Sequence, residues 1–212
     1  GVPNHKSKNT KLPTKKYDTF KIQSNELLNC WFIPSIDSSK GIMILFHGYM
    51  GEKSSLLTYS EQFRNMGYSC LLVDIMGSGK STGLQTTIGF KESENVKSVF
   101  NRTKEIFPNQ KIILFGHSMG AVAIMKSIKD YDLKPDKIIL QCPFGTMKQT
   151  VKKRFEAMNI PSFPFAHLLL FYGGTLNGFN AFEHNPTEYA TQINVPTLLA
   201  YGEKDGRVTR KE

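Results

Sequence analysis

The sequence predicts an α/β protein in which a mostly parallel central sheet carries helices on both faces. Short apolar runs such as GIMILF (41–46), CLLVD (70–74) and KIILF (111–115) have strand length and no polar alternation, as strands buried on both faces do. Between them lie longer segments with apolar residues at helical spacing. Strand and helix then alternate along the chain, the pattern of crossovers between parallel strands.

Residues 17–23 and 27–33 read as an antiparallel pair joined by a polar turn. The run 41–46 is the first buried strand, and Leu56, Phe63 and Met66 place a helix over 56–66. Strand 70–74, helix 96–107, strand 111–115, helix 121–128 and strand 137–140 follow. VPTLLAY, 195–201, is the last strand. From residue 144 to 193 the alternation stops, although a crossover helix of about a dozen residues would join the flanking strands. That stretch holds Phe155, Phe163, Phe165, Phe171, Tyr172 and Phe179, with Pro161 and Pro164 as breakers. It reads as a lid or binding insertion, the alternative being a surface helical excursion with its own small core. The layout is therefore a basic flexible arm (1–16), a core (17–143), a cap (144–193) and the resumed core (194–212).

With 212 residues, 40% hydrophobic and 21% charged, the chain is neither disordered nor fibrous. No apolar run approaches the ~20 residues of a membrane-spanning helix. The formal net charge is +9, and Lys6, Lys8, Lys11, Lys15 and Lys16 contribute five of those charges in an arm without a single acid. Such an arm is solvated, and it offers a peripheral contact with anionic lipid. It lacks the aromatic residues on which bases stack, so no nucleic-acid partner is expected. Cys30, Cys70 and Cys142 are odd in number and widely spaced, which fits small buried apolar residues better than disulfides or a metal site. Neither metal nor cofactor is expected. The compartment, cytoplasmic or membrane-associated, and the oligomeric state are not legible; Gly1 in place of Met leaves room for a removed leader.

The motif Gly116-His117-Ser118-Met119-Gly120 ends a strand and opens a helix. A serine hydroxyl is a poor nucleophile unless it is thrust out of the backbone toward a base. A sharp strand-to-helix turn does the former, and Gly116 and Gly120 permit the close approach it needs. A second G-x-S-x-G, Gly79 to Gly83, lies past its strand and runs into polar residues, so context selects Ser118. The same stretch, GSGKST, imitates the end of a phosphate-binding loop, but Asp74 stands where the leading glycine belongs. Acyl transfer also needs two donors for an oxyanion. The Met119 N–H supplies one, and the turn His47-Gly48-Tyr49-Met50-Gly51 supplies the Tyr49 N–H as the other; a plain glycine-rich turn is the alternative for that loop.

HGYMG, then Asp74-x-x-Gly77-x-Gly79-x-Ser81, then GHSMG, then Gly202-Glu203-Lys204-Asp205 after the last strand resemble, in that order, the α/β-hydrolase superfamily. The branch they are most similar to is the monoglyceride-lipase-like and serine-aminopeptidase-like one with unassigned substrates. The resemblance covers residue 40 to the end. It implies the α/β-hydrolase fold, a nucleophile at Ser118, a triad acid at Asp205, oxyanion N–H groups from Tyr49 and Met119, and a cap over 144–193. A loop at the carboxyl end of a strand, where Asp205 falls, is also where open α/β sheets place their sites.

The base is missing. Chain order in this fold is Ser, acid, His, and no histidine follows Asp205. His47 and His117 belong to the loop motifs, His5 to the arm, and His167 and His184 to the insertion; a base at His184 would break the order. The expectation is that the chain stops short and the natural protein continues with a histidine. The predicted activity is hydrolysis of carboxylic esters or thioesters of an apolar small-molecule acyl substrate through an acyl-enzyme at Ser118. Peptidase or acyltransferase chemistry on the same residues, or a binding protein that keeps the pocket, remain open.

Overall fold

The computed structural model describes Val2–Pro3 and residues 9–202. In chain order the elements are β1 (Val2–Pro3), β2 (Asp18–Gln23), β3 (Leu27–Ile33), β4 (Ile42–Phe46), a 3-10 turn (Lys53–Leu56), α1 (Leu57–Asn65), β5 (Ser69–Asp74) and β6 (Gln85–Thr86). Then come α2 (Glu92–Ile106), β7 (Ile112–His117), α3 (Met119–Tyr131), β8 (Lys137–Gln141), α4 (Met147–Ala157), α5 (Phe165–Asn177), α6 (Pro186–Ala190) and β9 (Thr197–Ala200).

Among the described residues, seven strands form one sheet in the order β2-β3-β5-β4-β7-β8-β9. The five strands from β5 to β9 in that order are mutually parallel. The hairpin β2/β3 is antiparallel and joins β5 antiparallel. Side chains of a strand alternate between faces, and the central strands β4, β5 and β7 are buried on both. Ile42, Ile44 and Phe46 pack with Val96, Val99 and Ile124 of α2 and α3. Met43 and Leu45 pack on the other face with Tyr59 and Phe63 of α1. That two-sided burial is why the strands read as unbroken apolar runs.

Several element ends differ from the sequence expectation. α2 starts at Glu92 rather than 96, because the buried Glu92 carboxylate accepts hydrogen bonds from the Thr86 hydroxyl, the Thr87 N–H and hydroxyl, and the Gly89 N–H. Its negative charge also suits a helix N-terminus. α3 runs on past 128 to Tyr131, where Asp132 in the left-handed conformation (φ 49°) ends it. The short pair β1/β6 is not visible in the sequence; it joins Val2 to Thr86 and Pro3 to Gln85. The stretch between β8 and β9 holds three helices, α4 to α6. The arm expected to be solvated also has partners: the Asn9 amide donates to Asp74 and the Thr10 N–H to Glu52. Lys6, Lys8 and His5 lie outside the described residues, whereas Lys11, Lys15 and Lys16 are exposed.

Candidate active site

β4 sits between β5 and β7, so the chain leaves it to one side and returns on the other. At such a switch point the loops at the carboxyl ends diverge and leave room for a ligand. The loops after β4 and β7 are HGYMG and the turn at Ser118.

Ser118 stands between β7 and α3 with φ 49° and ψ −110°, a conformation L-residues avoid. Strain of this kind costs about 1–3 kcal/mol and persists only where the surroundings impose it. Here the Ser118 N–H is tied to the Gln141 carbonyl at 2.7 Å, and its own carbonyl accepts from the Val122 N–H at 3.1 Å. The glycines on either side have specific work. A Cβ on Gly116 would lie 2.5 Å from the Ala121 nitrogen, and one on Gly120 would lie 2.5 Å from the Phe46 carbonyl oxygen. Both are closer than atoms tolerate, so only glycine lets α3 fold back against β7 and the end of β4.

HGYMG meets this turn directly. A Cβ on Gly48 would lie 2.9 Å from His117 Cδ2 and 3.5 Å from Ser118 Cβ. Gly48 therefore serves close approach, while the left-handed residue of the loop is Met50 (φ 58°), not a glycine. The turn is closed by the Gly51 N–H donating to the Gly48 carbonyl at 3.0 Å. Met119 is the first residue of α3, where an N–H has no acceptor within the helix. Among the described residues, neither the Tyr49 nor the Met119 N–H donates to another group.

The histidines divide by their partners. His47 is fully buried; its Nδ1–H donates to the Gly48 carbonyl at 2.8 Å and its Nε2 accepts from the Ile75 N–H at 3.1 Å. Burial holds its pKa below the usual value, so the neutral ring clamps the loops after β4 and β5 together. His184 is also buried: its Nε2–H donates to the Ile88 carbonyl at 3.0 Å and its Nδ1 accepts from the Tyr189 hydroxyl at 2.9 Å. Burial lowers its pKa to about 4. His117 packs against Gly48, and its buried Nδ1 has no partner among the described residues. Among the described residues, no histidine ring is hydrogen-bonded to the Ser118 hydroxyl. Asp205 lies outside the described residues.

Two further features adjoin the site and a third lies apart from it, and their contacts are not legible in the sequence. Asp74, at the end of β5, forms a fully buried ion pair with Lys53 and accepts from the Lys53 N–H at 2.8 Å and the Lys80 N–H at 2.9 Å. Burial pushes the Lys53 pKa down while Asp74 opposes it, and the ammonium also lies 4.5 Å from the centre of the Trp31 ring. The GSGKST loop thus wraps a carboxylate of its own chain; a Cβ on Gly79 would run into Asp74. Arg154 of α4 lies over the Tyr49 ring, 5.6 Å from its centre, and so couples the helices after β8 to the HGYMG loop. A depression of about 750 Å³ lined by Lys15, Lys16, Glu61 and Arg64 is separate from Ser118.

Residues 37–171 match the Hydrolase_4 family, serine aminopeptidase, S33. The uncharacterized protein YqkD of Bacillus subtilis is 27% identical over 166 residues, covering 77% of this chain and 54% of that protein. The lysophosphatidylserine lipase ABHD12 of Macaca fascicularis is 23% identical over 190 residues, covering 82% and 44%. The chain thus spans about half the length of the curated relatives it matches. The esterase Pf2001 of Pyrococcus furiosus superposes with a TM-score of 0.79 at 23% identity, covering 100% of this chain and 81% of that one. A strained serine between flanking glycines at the switch point of a mostly parallel sheet, together with a match across most of the chain, identifies it as a member of the serine aminopeptidase S33 family of α/β-hydrolases.

Proposed function

We propose that the chain carries the nucleophile and oxyanion hole of a serine hydrolase acting on carboxylic esters or thioesters. The observation that carries this reading is the turn at Ser118, held in a disfavoured conformation beside two N–H groups that have no acceptor among the described residues. A strained residue at a site is a reason to look for function there. In the reaction, the Ser118 oxygen attacks the acyl carbon as its proton passes to a base. The carbonyl oxygen gains negative charge and is received by the Tyr49 and Met119 N–H groups, each such donor being worth roughly 3 kcal/mol of barrier. The alcohol or thiol leaves with a proton, and water releases the acid from the acyl-enzyme.

Asp205 is proposed to orient the base and offset its positive charge. His47 and His184 are unsuited to the base, since both ring nitrogens of each are committed elsewhere. The helices between β8 and β9 are proposed as a cap, linked to the oxyanion loop through Arg154 and Tyr49. The apolar composition of α5 favours a substrate with an apolar acyl or alcohol group. The esterase and lipase names among the related proteins agree with that class.

The test is turnover of p-nitrophenyl esters by the intact natural protein. Ser118→Ala is expected to abolish it, and a longer acyl chain is expected to raise kcat/KM in the unaltered protein. Undiminished turnover in Ser118→Ala would remove Ser118 from the reaction.

A further inference from the structure

The longest uncharged run of the chain lies on its surface. No Asp, Glu, Lys or Arg occurs from residue 157 to 182, and α5 lies inside that run. A surface helix ordinarily turns its polar side to water. α5 does the reverse: the stripe Ala166, Leu170, Gly174 and Asn177 is buried, while Phe165, Leu168, Leu169, Phe171, Tyr172 and Leu176 are 46–81% exposed. Phe163, just before it, is 73% exposed. A contiguous exposed apolar face marks an interaction surface.

The neighbouring helix supplies the second observation. α4 packs against α5 and carries Lys148, Lys152, Lys153 and Arg154 against a single acid, Glu156. Lys148, Lys152 and Arg154 are exposed. Apolar side chains flanked by cations match the two components of an anionic bilayer surface, acyl chains below and negative headgroups above. A symmetric contact between two copies would set these cations against each other.

We infer that α4 and α5 form a docking surface for an anionic lipid bilayer. The apolar side chains of α5 enter the boundary between headgroups and acyl chains, and the exposed Lys148 and Lys152 of α4 pair with the headgroups. This surface is distinct from the lysines of the arm. Through Arg154 on the Tyr49 ring it is joined to the loop beside Ser118.

Co-sedimentation with vesicles tests this without any turnover, so its outcome is independent of the esterase reading. The protein is expected to bind vesicles containing one third phosphatidylserine and to bind pure phosphatidylcholine much less. Leu168→Glu with Phe171→Glu, and separately Lys148→Glu with Lys152→Glu, are each expected to lower the bound fraction about tenfold. Lys11→Gln, Lys15→Gln and Lys16→Gln together are expected to leave it nearly unchanged. Leu176→Trp keeps the face apolar, and the fluorescence it adds to that of the buried Trp31 is expected to shift to the blue on these vesicles and be quenched by brominated acyl chains. The inference is overturned by absent binding, by binding that survives the α5 substitutions, by loss confined to the arm variant, or by an emission spectrum of Leu176→Trp that lipid leaves unmoved. A dimer in sedimentation that the α5 substitutions dissolve would overturn it in favour of a second copy.

Discussion

Ser118 keeps its conformation because its neighbours leave no alternative, and the strongest constraints come from atoms that are absent. At Gly120 a methyl group would meet the Phe46 carbonyl at 2.5 Å, so Gly120→Ala must push α3 away from β4. The expected cost is about 1–3 kcal/mol by urea denaturation, with activity falling further than stability because the Met119 N–H moves with the helix. Asp74 offers a larger effect. Asp74→Ala strands the buried Lys53 ammonium and deprives the Lys53 and Lys80 N–H groups of their acceptor, for an expected loss of about 3–5 kcal/mol by the same measurement. At this scale the sequence was informative wherever a residue type is forced by sterics, as at Gly116, Gly120 and Gly48. It was silent where the partner is remote: nothing near Asp74 marks Asn9 as one of its donors. The left-handed residue of HGYMG was likewise hidden, since Met50 takes a conformation for which glycine is the usual signal.

Among elements, α6 is held to the body by His184, whose ring bridges the Tyr189 hydroxyl and the Ile88 carbonyl. Burial pushes the Tyr189 pKa up to about 12, so its hydroxyl remains a donor. The folded protein protonates His184 only near pH 4, whereas the unfolded chain takes up that proton near 6.5. The unfolded state therefore binds more protons between these values, and stability present at neutral pH is lost as pH falls through them. The loss is on the order of 3 kcal/mol from this group, with His47 acting in the same direction. Urea denaturation from pH 7 to 4 is expected to show a steeper decline in the natural protein than in His184→Gln; equal slopes would show that the ring does not set this dependence. Apolar runs made the central strands legible, since burial on both faces leaves no polar residue in them. The helix starts were less so, because α2 begins where Glu92 collects donors from a loop, and no periodicity reports that. The stretch after β8 was legible as a helical insertion that interrupts the alternation, but the bounds of its three helices were not.

Across the whole molecule, the carboxyl edge of the sheet gathers what the chain keeps far apart: the loops after β4, β5 and β7, the arm at Asn9 and Thr10, and α4 above Tyr49. Deleting residues 1–10 removes the Asn9 and Thr10 donors from Asp74 and Glu52, with an expected loss of about 1–3 kcal/mol in urea denaturation. Charge composition marked that arm as solvated, and it could not reveal these contacts, because one amide finding a buried carboxylate leaves no trace in composition. On the opposite side of the sheet from β2, β9 is the outermost strand among the described residues and shows Leu198 and Leu199 to solvent, 60% and 59% exposed. Fold class was legible because alternation of buried strands and helices admits few topologies; the base proposed for Ser118 was not, and among the described residues no histidine ring is hydrogen-bonded to its hydroxyl. Whether Ser118 is activated is read most directly by fluorophosphonate labelling of the intact natural protein, with the adduct located by peptide mass spectrometry. One adduct on the peptide bearing Ser118, abolished by Ser118→Ala, is the expected result. An unlabelled protein, or labelling that persists in Ser118→Ala, would contradict it.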